Sequence, residues 1–277
     1  MRKILKGLQV ADFVHPDEAQ NRANVMNNEP LQKMIGTAAE MCNAIVDPLI
    51  QGTFVQVDDS SAPELSRIVK NVCAILEVEP VPPISICHLM STNITPIGTT
   101  TPYLVVPDYV LRYSDEDMLY YNIGNSIAMI KANHVELTTL ASYLPGNLFI
   151  DIPKTLFIAC LHSADATSDR GGLLACQSFA AAVRNQMWEL GIPPSESKKL
   201  FTTDDEAEDF VRDYLARYDA VIKKYDSIPM QAARKYQRLA YIEAPGNLML
   251  RALFDWYTDP NGYEYVLRLR AERELKN

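Results

Sequence analysis

Apolar residues recur at a helical period along most of this chain and alternate at period two only in short stretches. Leu31, Met34, Ile35, Ala38, Met41, Ala44 and Ile45 mark one face of a helix over 31–50 that stops near Pro48. A second helix is expected over 62–77, with Ser61 as N-cap and Pro63 in its first turn. Ser114, with Asp117 three residues on, resembles a capping box and opens a helix running to about His134 and on to Tyr143. Pro145-Gly146 ends it. Helical pattern resumes from Pro153 to about Leu190, with Gly171-Gly172 as the candidate break. An acidic helix over 206–224 and two or three more, through Trp256 to Leu275, complete the helical set.

The strand signals are few. Residues 53–58 (TFVQVD) alternate, and 84–90 (ISICHLM) and 102–108 (PYLVVPD) read as strands joined by a loop holding Asn93 and Gly98. Glu79-Pro80-Val81-Pro82-Pro83 forms a rigid connector before them, and residues 1–30 read as polar and mixed, with a turn at His15-Pro16-Asp17. The expected fold class is α+β, mainly helical, with one small sheet. A single domain over 1–277 is expected: a helical N-terminal part (1–78), a central part with the sheet (79–190) and C-terminal helices (191–277).

Charge narrows the function classes. Lysine and arginine number 26 against 35 aspartates and glutamates, a net charge of −9. That balance opposes a nucleic-acid surface, which needs a basic footprint. The longest apolar runs, such as 156–160, fall far short of the ~18 residues of a membrane span. Lys6, Gln9 and Asp12 interrupt any leader-like apolar run near the N-terminus. The five cysteines are scattered and lack a C-x-x-C pair, which suits reduced, buried thiols in a cytoplasmic protein.

Three segments carry a likeness to a family. The first is Gly124-Asn125-Ser126-Ile127-Ala128-Met129-Ile130-Lys131-Ala132-Asn133-His134, preceded by a strand-like PYLVVPD. The second is Asp165-Ala166-Thr167-Ser168-Asp169-Arg170-Gly171-Gly172-Leu173-Leu174-Ala175-Cys176-Gln177. The third is Pro245, Arg251 and Trp256, with Ala244 where a histidine is usual. Together they resemble the soluble bacterial branch of the M48 metallopeptidases. The resemblance implies a zincin-like fold with a small sheet beside a zinc helix, and it makes Asn93 and Gly98 the counterparts of a conserved-type strand loop.

In that family two histidines of a His-Glu-x-x-His helix lie one turn apart and hold zinc, and the glutamate between them activates a water. A carboxylate from a second helix completes the ligands. Here the corresponding positions are Asn125, Met129 and Asp165, with Ser126 at the base position. A weak amide oxygen, a soft thioether and a shortened carboxylate do not make a zinc site. Serine is no base near neutral pH without a partner. The expectation is no catalytic residue, no metal and no cofactor: a former protease. His162, Asp165 and Asp169, at i, i+3 and i+7, with His134 and Arg170, are a candidate residual polar site. Structural roles are the leading expectation for His134 and for Asp169-Arg170. Cys160 and His162, two apart on a helix, point to different faces.

The resemblance also implies a cleft between the sheet and the former zinc helix, where peptides pair with an edge strand. Asn93, Gly98, Thr99, Thr100, Thr101, Tyr103 and Val105 are its candidate recognition edge. The expected function is binding of a peptide or protein partner, among them an active enzyme of the same pathway. Two alternatives stand beside it: an enzyme with repurposed, non-zinc chemistry on a peptide, and a structural subunit of an assembly. Tyr113, Tyr120 and Tyr121 are expected to pack in the core, with lining of the cleft as the alternative. The acidic run from Asp204 to Asp209 is expected to be a solvated helix start.

Overall fold

A computed structural model describes residues 2–98, 102–143, 154–224 and 245–274. The chain runs through β1 (Lys3–Leu5), a short 3-10 turn, α1 (Glu18–Met26), α2 (Glu29–Thr53), β2 (Val55–Val57) and α3 (Pro63–Leu76). The sheet segment follows: β3 (Ile84–Cys87), β4 (Thr95–Ile97) and β5 (Tyr103–Pro107). Then come α4 (Asp108–Tyr113), α5 (Glu116–Lys131), α6 (Val135–Tyr143), α7 (Lys154–Cys176), α8 (Phe179–Glu189), α9 (Pro194–Ser197) and α10 (Asp204–Lys224). The C-terminal part holds α11 (Pro245–Thr258), α12 (Tyr263–Arg270) and β6 (Ala271–Glu274). The fold is mainly helical with one small mixed sheet, an α+β arrangement.

That sheet has the order β2-β3-β5-β4. β3 and β5 are parallel, with Ile84 opposite Leu104, and β2 and β4 join antiparallel at the two margins. A second, two-stranded sheet pairs β1 with β6. Its β6 replaces the expected end of a helix: Ala-Glu-Arg-Glu has good helix formers, but backbone pairing with Lys3–Leu5 decides its conformation. β4 and α1 are also additions to the sequence reading.

Helix α5 sits at the centre. Met118, Tyr120, Tyr121, Ile123, Ile127 and Ala128 are all buried, so both its faces meet protein. Its N-cap is Asp115, whose carboxylate accepts from the Met118 amide at 2.9 Å, one residue later than the expected Ser114 box. Its end is set by Asn133, at φ 58°: the Asn133 and His134 amides donate back to Ile130 and Met129 at 3.0 and 2.9 Å. This closure separates α5 from α6, which the sequence had joined.

Helix α7 passes through Gly171-Gly172 without a break. It ends instead at Gln177, at φ 53°. The glycines serve the crossing with α5: a Cβ on Gly171 would stand 2.1 Å from the Ala128 Cβ, and one on Gly124 would stand 2.3 Å from the Ala175 Cβ. In α3 the first turn begins at Pro63 as expected, but Ser61 does not cap it. The Ser61 hydroxyl donates to Asp58 at 2.9 Å.

Among the described residues no helix is long and apolar enough to cross a membrane. Cys73, Cys87, Cys160 and Cys176 are free and buried. Burial pushes the Cys73 and Cys176 thiols up to about 12 and raises Cys160, so these sulfurs are held as thiols.

Candidate functional site: an acid-lined cleft beside the central helix

α5, α7 and α8 meet the segment around Asn93 at a cleft of about 300 Å³. Asn125 and Met129 reach it from α5, Asp165 and Asp169 from α7, and Asn93 from the loop before β4. Five residues singled out from the sequence thus share one concavity. The i, i+4 spacing puts Asn125 and Met129 on one side of α5, and the same spacing does so for Asp165 and Asp169 on α7. Asn122, Asn185, Glu189, Thr138 and Met249 also line it. No sequence motif flagged these; Asn185 and Glu189 sit with Arg184 and Gln186 on α8, a polar set without a chemical signature.

Asp169 is the hub. Its Oδ1 accepts from the Tyr121 hydroxyl and from the Asn125 amide, each at 2.8 Å, and Gln186 donates to the Tyr121 oxygen at 3.0 Å. Burial, then the neighbouring Glu189 and Asp165 charges, outweigh those hydrogen bonds and hold the Asp169 carboxyl well above the ordinary carboxylate range. Glu189 closes α8 and keeps contact with water. The concavity still strips part of its solvation. With the nearby Asp165 charge, this outweighs the Asn93 hydrogen bond and pushes the Glu189 carboxyl up to about 7. Among the described residues, no lysine, arginine or histidine lines the cleft.

The remaining sequence candidates lie elsewhere. Ser126 is fully buried on another face of α5; its hydroxyl donates to the Ile94 carbonyl at 2.7 Å and fastens helix to strand. His134 is buried away from the cleft lining, with Nε2 2.6 Å from Glu18. Thr167 donates to the same Glu18 carboxylate. Burial opposes Glu18 ionisation, but the hydrogen bonds and charge of His134 and the Thr167 hydroxyl prevail and keep its carboxyl below the usual value. The structural reading of His134 therefore matches its surroundings. His162 is half-buried and does not line the cleft, so the proposed His162, Asp165, Asp169, His134 set is not assembled.

Arg170 turns away from its neighbour Asp169. It donates to the Val14 carbonyl at 2.8 Å and lies over the Trp256 ring at 5.3 Å. Burial lowers its guanidinium to about 10. Tyr120 and Tyr121 are core residues, as expected, while Tyr113 is exposed and leans on Tyr109. Asp204 does more than start a solvated helix: its carboxylate accepts from the Ala180 amide at 2.8 Å in the first turn of α8.

The recognition edge requires correction. Thr99, Thr100 and Thr101 lie outside the described residues. Tyr103 and Val105 belong to β5, which is paired on both sides and has no open edge. On this side of the sheet the marginal strand is β4, and the outward groups of Ile94 and Gly98 at its two ends are taken. The Ile94 amide donates to Asn122, and its carbonyl accepts from Ser126. The Gly98 amide and carbonyl both bond the Thr139 hydroxyl, at 3.1 and 3.2 Å. Pro96, between them, has no N–H to offer. These contacts oppose main-chain addition of a peptide strand along β4.

The zinc that the resemblance attaches to these positions does not fit the residues present. The Asn125 amide is committed to Asp169, and Met129 supplies only a thioether. Among the described residues, no three or more histidines, cysteines, aspartates or glutamates are grouped to hold a metal ion. No family model, curated protein or solved structure matches this chain.

Proposed function

We propose that this protein is a non-catalytic, M48-like pseudopeptidase that binds a peptide or protein partner through the cleft between α5, α7 and α8. The observation that carries this reading is the convergence of Asn93, Asn125, Met129 and Asp165 on one open concavity. Those are the positions at which the resemblance implies a substrate cleft with a dismantled zinc site. The zincin-like character of the fold belongs to the same proposal. It is supported by a small mixed sheet whose antiparallel margin, β4, is fastened to the helix bearing Asn125 and Met129. Binding proceeds by side chains entering the cleft, because the strand edge is closed. Ligand sites commonly pair such a concavity with a few convergent polar groups.

A selection from a random peptide library, run on the wild type and on Met129→Trp, tests this. Binders should shift the amide resonances of Asn93, Asn125 and Asp165, and lose at least tenfold in affinity when the tryptophan fills the cleft. Binders indifferent to that plug would overturn the reading. So would one zinc per chain, removable by chelator and coupled to peptide cleavage.

One observation favours a second reading, a repurposed metal-free enzyme. A carboxyl titrating at about 7 beside a cavity is suited to general acid–base work. In that case Glu189 joins Asp165, which the sequence already suggested, since Ser126 and His134 are spent elsewhere. Turnover of a peptide that disappears in Glu189→Gln while binding persists would select this reading.

A further inference from the structure

We propose that β2, the open margin of the four-stranded sheet, pairs antiparallel with β2 of a second copy of this chain, across a two-fold axis at Gln56. The pairing makes no use of the cleft. β2 ends the sheet at the margin opposite β4 and is paired on one side only, to β3. Among the described residues, Val55, Gln56 and Val57 make no hydrogen bond beyond that ladder. Their outer N–H and C=O groups are therefore available to a further strand. Val55 is 66% exposed, and Gln56 beside it is exposed too. The two margins of the sheet contrast. β4 has a proline in its middle and side chains bonded to its ends, whereas β2 has no proline, glycine, charge or bulge.

The symmetry of the strand marks a second copy as the occupant. Val55-Gln56-Val57 reads the same in both directions. A two-fold axis at Gln56 sets Val55 against Val57 of the second copy and Gln56 against Gln56, an isologous pairing. The ends of β2 fix that register. The Phe54 amide donates to the Ile50 carbonyl at 3.2 Å, in the last turn of α2, and the Asp58 amide donates to the Ser61 hydroxyl at 2.9 Å. A window centred elsewhere would run into one of these closures. Charge agrees with the antiparallel sense. β2 is itself uncharged, and Asp58 falls across from Phe54 of the second copy. The two Asp58 residues then stand roughly 13 Å apart along the strands, at about 3.3 Å per residue. In-register parallel pairing would set them side by side. Val57 already packs against the core, so the second copy's Val55, exposed in a single chain, gains an apolar neighbour there.

The test is sedimentation velocity of the full chain between about 10 μM and 1 mM, the range suited to a small, short-strand interface. The wild type should pass from monomer to dimer across that range. Gln56→Lys and Gln56→Glu each place like charges directly opposite one another at the axis, and each should weaken dimerisation at least tenfold. Mixed in equal amounts, the two variants should form a heterodimer at least as tight as the wild-type dimer. Circular dichroism checks that both fold. A wild type that stays monomeric through 1 mM would overturn the proposal. So would a dimer indifferent to both substitutions, which would lie on another face, and so would a monomeric mixture of the two folded variants. None of these outcomes bears on peptide binding in the cleft.

Discussion

Asp169, placed by the sequence in a candidate polar site with a structural role expected, is a hub in the fold. Its Oδ1 satisfies Tyr121 and Asn125 together. Asp169→Asn keeps an oxygen at that place and removes an acid whose charged form burial disfavours. It is expected to be neutral or stabilising near pH 7. Asp169→Ala orphans the buried Tyr121 hydroxyl, while the half-buried Asn125 amide can turn to water, and should cost about 1–3 kcal/mol, read by urea denaturation. The raised carboxyls also set a pH dependence. A carboxyl whose folded pKa exceeds its unfolded value binds more protons when folded, so stability falls as pH rises through that interval. For Glu189 the interval runs from the ordinary glutamate value of 4.5 to about 7. Side-chain NMR should find its midpoint near 7, and Glu189→Gln should flatten the decline in melting temperature between those values. A Glu189 midpoint near 4.5 would contradict this.

At the scale of elements, the crossing of α5 and α7 depends on missing side chains. Glycine inside a helix normally costs about 1 kcal/mol relative to alanine. Gly36 in α2 has nothing within 4 Å of a built Cβ, so Gly36→Ala should raise the melting temperature. Gly171→Ala should lower it, because the methyl group would meet Ala128 at 2.1 Å and overpacking costs about 1–3 kcal/mol. Opposite signs for the same substitution in two helices would confirm that contact, not propensity, governs the seam. The sequence reading took Gly171-Gly172 as a break because local rules treat glycine as punctuation. The α6 boundary was equally hidden, since Asn133 can enter the left-handed region without advertising it.

At the scale of the whole molecule, Arg170 links distant parts of the chain. From α7 it reaches the Val14 carbonyl near the N-terminus and the Trp256 ring of α11. Arg170→Ala should destabilise the protein by about 2–3 kcal/mol, through a lost charge-assisted hydrogen bond and a lost ring contact. Thermal and urea melts check it, and Arg170→Lys should recover only part of the loss, since lysine lacks the planar fork. The β1–β6 pair joins the two ends of the described chain in the same way.

Hydrophobic period alone determined that this chain is mainly helical with a small central sheet, because amphipathic faces are local patterns. The mismatch of Asn125, Ser126, Met129 and Asp165 with zinc chemistry was likewise legible, because ligand preference belongs to the residue type. Tertiary structure decided what those residues do instead. It sent Ser126 to a strand carbonyl and His134 to Glu18, closed the β4 edge, and brought Asn185 and Glu189 to the cleft from a helix without a motif. Such outcomes depend on contacts between residues far apart in sequence, where the burial of one carboxyl and the partner of one amide are settled only when the helices pack.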